Sequence, residues 1–168
     1  MDLTARPARL DDAASIARIY NDGIEDRVAT FETDRRSPAD IAAVLEEKLD
    51  THPAVVVERE VDVIAFAWVG PYRDRPCYAG IGEFSVYVAR EARGAGAGRV
   101  ALAALLAACE ARGFWKLVSR VFPENSASRG LCAALDFTEV GTYRRHGRLD
   151  GEWKDCVIVE RLLGEAAS

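Results

Sequence analysis

A glycine-rich segment that runs straight into a run of alanines and leucines is the feature that most constrains this chain. Gly94, Gly96 and Gly98 alternate with alanine, and Arg93 and Arg99 flank them. A helix that begins there would present unpaired backbone N–H groups and about half a positive charge at its first turn. Glycines leave that backbone open to a phosphate. The pattern predicts an anion-binding helix N-terminus, and the alternative is a turn that only connects two elements.

Two common phosphate-binding motifs do not match this loop. A Walker loop ends in Gly-Lys-Ser/Thr, whereas this loop ends in Gly98-Arg99-Val100. A dinucleotide fingerprint reads G-x-G-x-x-G, whereas this loop reads G-x-G-x-G. The predicted anion site is therefore of another kind.

Hydrophobic periodicity predicts the fold class. Helices are expected over 9–24, over 36–49, from the glycine loop to Gly113, and over 126–135. Asp11 or Asp12 can cap the first helix, and Asn125 precedes the last. The second helix has Ser37 as N-cap and Pro38 at its first position. Strands are expected over 54–60, 61–70, 83–89, 116–122, 138–145 and 155–163. This order predicts a mixed α/β (α+β) domain with a largely antiparallel, twisted sheet and helices on both faces.

Charge and cysteine usage limit the partners. The chain has a net charge of −5 and no basic tract, which disfavours nucleic acid and anionic membrane surfaces. Its four cysteines are scattered and only two histidines are present, so we expect no metal, reduced thiols and a cytoplasmic location. The length of 168 residues suggests one domain over 1–163, and we expect 164–168 to be a frayed tail.

The glycine segment resembles the signature of the GCN5-related N-acetyltransferases. Their Arg/Gln-x-x-Gly-x-Gly/Ala motif follows a hydrophobic strand and precedes a helix, as Arg93 to Gly98 does after SVYVAREA. The resemblance implies a GNAT-like fold and acetyl-CoA as cosubstrate. It also implies that the loop amides bind the pyrophosphate, while the strand around Val86 to Val88 pairs with the pantetheine arm.

A second segment carries the same resemblance. Asn125 and Ser128, followed by LCAALDF, resemble the family's N-x-x-[AS]-x-x-L-Y-x-x-x-G-F segment, with Cys132 in place of Tyr and Asp136 in place of Gly. The resemblance implies that Asn125 and Ser128 contact the pantetheine or phosphate groups of CoA. The other interpretation of Asn125, a plain helix N-cap, is compatible with that role.

A narrower resemblance concerns the acceptor. The stretches YNDGIEDRVATFET, GPYRDRPCY, EFSVYV and HGRLDGEWKD resemble the phosphinothricin acetyltransferase group, and within it the arsinothricin N-acetyltransferases. This resemblance implies acetylation of the α-amino group of a small-molecule, glutamate-like amino acid that bears a methylated arsenic or phosphorus acid. It also implies a homodimer.

Acyl transfer from a thioester requires a base for the amine proton, and Glu83 is the candidate. This glutamate interrupts a strand of apolar residues, where a carboxylate would be partly buried, and the family resemblance implies a catalytic glutamate at this position. The alternative is an edge glutamate that faces water. Tyr87 shares a sheet face with Glu83 and Ser85 because strand residues alternate, so its hydroxyl could orient the amine or the substrate acid.

Two loop arginines are candidates for anion recognition. Arg73 and Arg75, in PYRDRP, are forked donors that can hold a carboxylate or an oxyacid in two hydrogen bonds. The alternative is solvated loop charge balanced by Asp74. By resemblance, Arg75 is the substrate arginine of the phosphinothricin group and Phe31 is an aromatic wall of the same pocket.

Three functions follow from these residues. The first is an acetyl-CoA-dependent N-acetyltransferase for arsinothricin or phosphinothricin, with Glu83 as general base. The second keeps the enzyme class but changes the acceptor to methionine sulfone or sulfoximine, a polyamine or a protein N-terminus. The third is a CoA-binding module without catalysis.

Overall fold

The computed structural model describes residues 2–168. Its strands are β1 (Leu3–Pro7), β2 (Ala54–Arg59), β3 (Asp62–Pro71), β4 (Ile81–Val88), β5 (Lys116–Val121), β6 (Thr138–Leu149) and β7 (Glu152–Leu162). Its helices are α1 (Ala13–Asp26), α2 (Pro38–Lys48), α3 (Ala97–Ala111) and α4 (Ser126–Ala134). The predicted mixed fold is confirmed, while β1 was missed because LTARP has too few apolar residues to show strand alternation.

All seven strands form one sheet in the order β1-β2-β3-β4-β5-β7-β6. Every neighbouring pair is antiparallel except β4 and β5, which run parallel. That parallel contact is short, because it covers only Ile81–Glu83 and Lys116–Val118. The sheet is therefore held by many bonds on either side of β4 and β5 and by few between them.

Helices pack on both faces of the sheet: α1 contacts β3 and β4, and α3 contacts β1 to β4. On one face the ring of Tyr87 lies against Gly23 of α1, at a distance that leaves no room for a Cβ. On the other face Gly98, in the first turn of α3, lies close to Val88 of β4 and to Leu131 of α4. The expected arrangement of helices on both faces is confirmed. Burial of each large apolar side chain stabilises such a core by about 2 kcal/mol.

Local signals explain most of the element boundaries. Ser37 Oγ accepts a hydrogen bond from Asp40 N at 3.0 Å, and Ser37 N donates to the Asp40 carboxylate at 2.9 Å. This capping box, with Pro38 at the first helical position, confirms the predicted start of α2. By contrast, the first helix begins later than expected, because a 3-10 turn occupies Leu10–Asp12.

The C-terminal tail is more ordered than we expected. Residues Gly164–Ala167 form a 3-10 turn instead of a frayed end. The cause is a tertiary hydrogen bond in which Gly164 N donates to the Glu110 carboxylate at 3.1 Å.

Within residues 2–168, no helix combines the length and the apolar character that a membrane crossing requires.

Candidate active site

The site begins where β4 and β5 separate. Ser119 Oγ donates to Phe84 O at 2.9 Å, and past this bond the two strands diverge. A narrow cavity occupies the space between them and is bordered by Val86, Val121 and Cys132 among others. We call this cavity the strand gap. It connects the two faces of the sheet at its centre.

Backbone groups of β4 point into the strand gap. Ala89 N donates to Ile64 O of β3 at 2.8 Å, and in an antiparallel pair such bonds recur at every second residue. The N–H and C=O groups of Val86 and Val88 consequently point away from β3. Val88 O accepts a bond from Arg93 Nε at 3.3 Å. A ligand with amide groups can pair with this free edge as an added strand would.

The glycine loop lies at one mouth of the strand gap. Gly94 and Gly96 have φ angles of +86° and +88°, and Gly96 is the N-cap of α3. Residues with a side chain avoid this left-handed region. Apart from the chain neighbours of each glycine, nothing in residues 2–168 lies within 4 Å of a Cβ built at either position, so the loop borders open space. The first-turn N–H groups of α3 therefore remain available to a phosphate.

A cleft of about 370 Å³ joins this loop to β4, α1 and α4; we call it the loop cleft. It brings together nine residues that the sequence had nominated for CoA: Val86, Val88, Arg93, Gly94, Gly96, Gly98, Arg99, Asn125 and Ser128. The Asn125 side chain accepts a hydrogen bond from Ser128 N at 3.2 Å and thereby caps α4. The loop cleft therefore has two helix N-termini along its length.

The two arginines that flank the glycine loop, Arg93 and Arg99, differ in their environments. Arg93 donates to the Asp26 carboxylate at 2.5 Å, and Arg90 donates to the same carboxylate at 2.9 Å. Burial raises the pKa of Asp26, but these hydrogen bonds outweigh it and the pKa is lowered. Arg99 is exposed and pairs with no carboxylate of residues 2–168. Arg99 is thus the loop cation free to meet an anion, while Arg93 holds the loop to α1.

The other mouth of the strand gap opens into a cavity of about 380 Å³ that is bordered by Glu83. We call it the carboxylate cavity. Arg120 forks onto Glu83, with Nε 3.0 Å from Oε2 and Nη2 3.3 Å from Oε1. The Glu83 side chain is 31% exposed and the Arg120 side chain 48% exposed. The carboxylate is therefore partly buried and paired, yet within reach of a ligand.

Aromatic side chains form the wall of the carboxylate cavity next to α1. The Tyr87 ring stacks on Tyr20 at 4.9 Å and on Phe66 at 5.4 Å, measured between centroids. Burial raises the pKa of Tyr87 to about 12, so its phenol is protonated at neutral pH. Tyr20 in turn donates to the Glu32 carboxylate. Tyr87 borders both the loop cleft and the carboxylate cavity.

A lysine forms the far side of the same cavity. The Lys48 ammonium lies 4.1 Å from the centroid of the Trp68 ring, and both residues border the carboxylate cavity. Burial lowers the pKa of Lys48 to about 8. No carboxylate of residues 2–168 lies within ion-pair distance of this ammonium. The cavity thus contains a cation without a partner.

The remaining predicted acceptor residues lie at three different places. Phe31 borders the carboxylate cavity and meets Phe122 edge-on, with centroids 4.8 Å apart. Arg73 lies in an adjoining cavity, which also borders Glu83 and Arg120. Arg75 is exposed, and its backbone N–H donates to Arg73 O at 3.0 Å. The structure therefore brings Phe31 and Glu83 into one cavity and leaves the two loop arginines outside it.

Cys132 is buried beside the strand gap. Burial raises the pKa of its thiol to about 11, which is typical of an inert core cysteine rather than of a reactive one. Within residues 2–168, no three side chains of His, Cys, Asp or Glu are grouped closely enough to hold a metal ion.

A sheet that opens beside an anion-binding helix N-terminus, with free strand edge between them, defines a class of protein: acyltransferases that bind a CoA thioester. The chain belongs to the Acetyltransferase (GNAT) family, which matches residues 16–137. It is therefore an N-acetyltransferase, and its acetyl donor is acetyl-CoA.

Individual relatives agree with this assignment. A phosphinothricin N-acetyltransferase of Alcaligenes faecalis is 36% identical over 95% of this chain and 82% of its own length. An L-methionine sulfoximine/L-methionine sulfone acetyltransferase of Pseudomonas aeruginosa is 30% identical over 100% of this chain and 99% of its own. The structure of a phosphinothricin acetyltransferase from Sinorhizobium meliloti in complex with AcCoA has a TM-score of 0.91 at 32% identity, covering 98% of this chain and 90% of that one.

Sequence reasoning missed Arg120 and Lys48. Arg120 lies within the stretch KLVSRV, where alternation alone places it on the same sheet face as Lys116 and Val118. Lys48 is the last residue of α2, a position where a lysine commonly interacts with the helix dipole. Neither position signals a ligand site, because the partners of both residues come from distant parts of the chain.

Proposed function

We propose that this acetyltransferase acetylates the α-amino group of a glutamate-like amino acid, with phosphinothricin or arsinothricin as acceptor and Glu83 as general base. One observation carries the proposal. The strand gap joins the loop cleft to the carboxylate cavity, so a donor bound on one side meets an acceptor bound on the other, next to Glu83.

The residues of the loop cleft fit the donor. Gly94, Gly96 and Gly98 leave the N–H groups at the start of α3 open for a pyrophosphate, and Arg99 adds a free cation. The backbone edge of Val86 and Val88 suits the amides of a pantetheine arm. Asn125 and Ser128 border the same path, while Arg93 acts by holding the loop in place. When bound there, acetyl-CoA supplies an activated acetyl group.

Glu83 and Tyr87 have different roles at the acceptor side, one as a proton acceptor and the other as a hydrogen-bond donor. A Glu83 carboxylate oxygen takes the proton that the ammonium must lose before the nitrogen can attack a carbonyl carbon. The backbone N–H of Val88 points into the strand gap, where it can stabilise a developing negative charge on oxygen. Tyr87 stays protonated, since burial raises its pKa to about 12, and its hydroxyl is a donor that orients the acceptor or protonates the departing sulfur.

The acceptor needs binding groups for its two acids. Phe31 supplies an apolar wall, and Lys48 supplies an unpaired cation within the cavity. Arg73 and Arg75 are assigned as further anion-binding residues on the loop beside it. Arg73 lines a cavity that also borders Glu83, whereas Arg75 does not line that cavity.

We also propose a cytoplasmic homodimer. The hairpin of β6 and β7 exposes Val140, Tyr143 and Trp153, and a second copy of the chain packed on this hairpin would remove their apolar surface from water. A second chain seated there would approach the loop of Arg73, since Tyr143 borders the Arg73 cavity. The four cysteines are free thiols, which is consistent with a reducing compartment.

An acceptor assay tests the proposal. The pure protein is incubated with acetyl-CoA and either phosphinothricin or arsinothricin, and free thiol is followed against a control without acceptor. We expect acceptor-dependent thiol release and a product acetylated on its α-nitrogen by mass spectrometry. Absence of release with both compounds would reject this acceptor class.

Methionine sulfone or sulfoximine is the second candidate acceptor. The observation that favours it is the relative from Pseudomonas aeruginosa that is named for these two amino acids. Polyamines and protein N-termini are less favoured, because Glu32 and Glu83 of this cavity are paired with Arg36 and Arg120, whereas Lys48 has no carboxylate partner within residues 2–168. A purely CoA-binding module is disfavoured by the accessible carboxylate of Glu83. Measuring kcat/KM for all of these acceptors in parallel separates them.

A further inference from the structure

We infer that Glu83 and Arg120 together recognise the zwitterion of an α-amino acid. The α-carboxylate takes the place of Glu83 on the Arg120 fork, and the released Glu83 carboxylate faces the α-ammonium. Arg120 is then a specificity-determining residue for the reaction. This inference rests on the proposed function and narrows it to acceptors that carry a carboxylate next to the amine.

The geometry of the pair supports the exchange. Arg120 offers Nε and Nη2 side by side, and both are engaged by the two oxygens of one carboxylate. The α-carboxylate of an amino acid has the same shape and charge, so it fits the same fork. Both side chains border the carboxylate cavity and both are partly exposed. A ligand in that cavity can therefore reach either partner.

The energetics favour a pair that exchanges partners easily. An ion pair with this degree of exposure contributes little to stability, because water screens it. Breaking it for a new pair of the same kind therefore costs little. In an α-amino acid the two charges are separated by a single carbon, which matches two protein groups already in contact. Binding replaces one internal ion pair with two ion pairs to the ligand.

The exchange also decides when the base is available. While Arg120 forks onto Glu83, each carboxylate oxygen accepts one N–H donor of the guanidinium. A ligand carboxylate on Arg120 frees them, and one oxygen can then accept the proton of the adjacent ammonium. A simple amine brings no carboxylate and leaves Arg120 on Glu83. The pair thus selects against amines such as polyamines without any steric barrier.

The experiment compares each amino acid with its decarboxylated amine. The acceptors are L-phosphinothricin with 3-aminopropyl(methyl)phosphinic acid, and L-methionine sulfone with 3-(methylsulfonyl)propylamine. Thiol release gives kcat/KM for each acceptor, and the ratio within a pair measures the contribution of the carboxylate. We expect a ratio of about 100 for the unmodified enzyme, as for charge-assisted hydrogen bonds.

Three variants test whether Arg120 is the source of that ratio. Arg120→Ala should reduce it to below about 10, mainly through a higher KM for the amino acid, and Arg120→Lys should give an intermediate value because lysine keeps the charge but not the fork. Arg18→Gln is the control. Arg18 has a similar exposure of 47% and pairs with Glu91 at 3.0 Å, so the ratio should not change. Should Arg120→Ala fold poorly, Arg120→Lys still tests the fork.

The possible results separate this inference from the proposed function. Equal kcat/KM for an amino acid and its amine overturns the inference, as does an equal loss on both acceptors in Arg120→Ala. A high ratio for methionine sulfone with no activity on phosphinothricin or arsinothricin supports the inference and overturns the proposed acceptor. No activity on any α-amino acid overturns both.

Discussion

The loop cleft and the carboxylate cavity lie on either side of the strand gap and are built in different ways. The loop cleft places two helix starts, the glycine loop before α3 and the start of α4, beside β4 and the end of α1. The carboxylate cavity is lined by residues from seven separate parts of the chain, among them Tyr20, Phe31, Lys48, Glu83 and Arg120. A helix start depends on local conformation, whereas a cavity assembled from seven segments depends on tertiary packing.

The difference has a consequence for specificity. Enzymes that acetylate different acceptors can use the same donor, so the loop cleft needs only a free strand edge and glycines that leave the backbone open. The acceptor side must distinguish one amine from another, and this requires charges and aromatic walls at fixed places. The four predictions below test this division, in order of decreasing effect.

Glu83→Gln should produce the largest change. The amide has nearly the same shape but cannot take a proton, so turnover should fall by about 100-fold or more. The loop cleft contains no atom of Glu83, so acetyl-CoA should raise the melting temperature of the variant as much as that of the unmodified protein. Near-normal turnover would remove Glu83 from the mechanism and, with it, the chemical distinction between the two sides.

Gly96→Ala should affect the opposite side. An alanine at φ +88° costs about 1 kcal/mol in backbone strain, and its methyl group would occupy space at the start of α3. We expect KM for acetyl-CoA to rise by about tenfold, and KM for the acceptor to change little. The measurement is steady-state kinetics with each substrate varied in turn.

Gly113→Ala is the matched control for that substitution. Gly113 follows the same helix at its other end and also has a φ of +88°, and nothing lies within 4 Å of its Cβ position. Both variants should lose similar stability, but only Gly96→Ala should raise KM for acetyl-CoA. An equal rise in both would mean that the loop acts through helix stability and not through ligand contact.

Arg75→Ala and Arg73→Ala should have smaller effects. If these arginines bind the acids of the acceptor, each substitution should raise KM for the amino acid several-fold and leave KM for acetyl-CoA unchanged. The larger rise should belong to Arg73, because its cavity borders Glu83. Unchanged KM values in both variants would mean that Arg73 and Arg75 do not bind the acceptor. Lys48 and Arg120 would then be the cations of the site.

Lys48→Met should show the smallest effect and the clearest pH dependence. Burial lowers the pKa of Lys48 from 10.5 to about 8, so between these values the unfolded chain binds more protons than the folded one. Burial of the charge therefore costs stability below about pH 8, and this cost disappears as the pH rises towards 10.5. Methionine keeps the stem without the charge.

Thermal unfolding of Lys48→Met at several pH values checks this expectation. The variant should melt above the unmodified protein at pH 7, and the difference should shrink by pH 10. Lys116→Met serves as the comparison, because Lys116 pairs with Glu160 at 2.6 Å and should lose stability when the pair is broken. A difference for Lys48→Met that does not vary with pH would contradict the buried-cation explanation.

The sequence by itself determined the donor side. The alternation of glycine and alanine before α3, and the Asn125 cap before α4, are local patterns whose conformations depend on neighbouring residues. The helix starts and the open glycines could therefore be predicted from local patterns, whereas Val86, Val88, Asn125 and Ser128 were named from the family resemblance. The family resemblance added the nature of the ligand, and the match over residues 16–137 confirmed the family.

Only the tertiary structure decided the acceptor side. The fork of Arg120 onto Glu83 joins residues 37 positions apart, and Lys48 reaches the same cavity from the end of α2. These contacts exist because β4 and β5 pair for three residues and then separate. The hydrophobic pattern of neither strand predicts this separation. Long-range packing sets the distance between such charges, and a linear pattern of residue types carries no information about that distance.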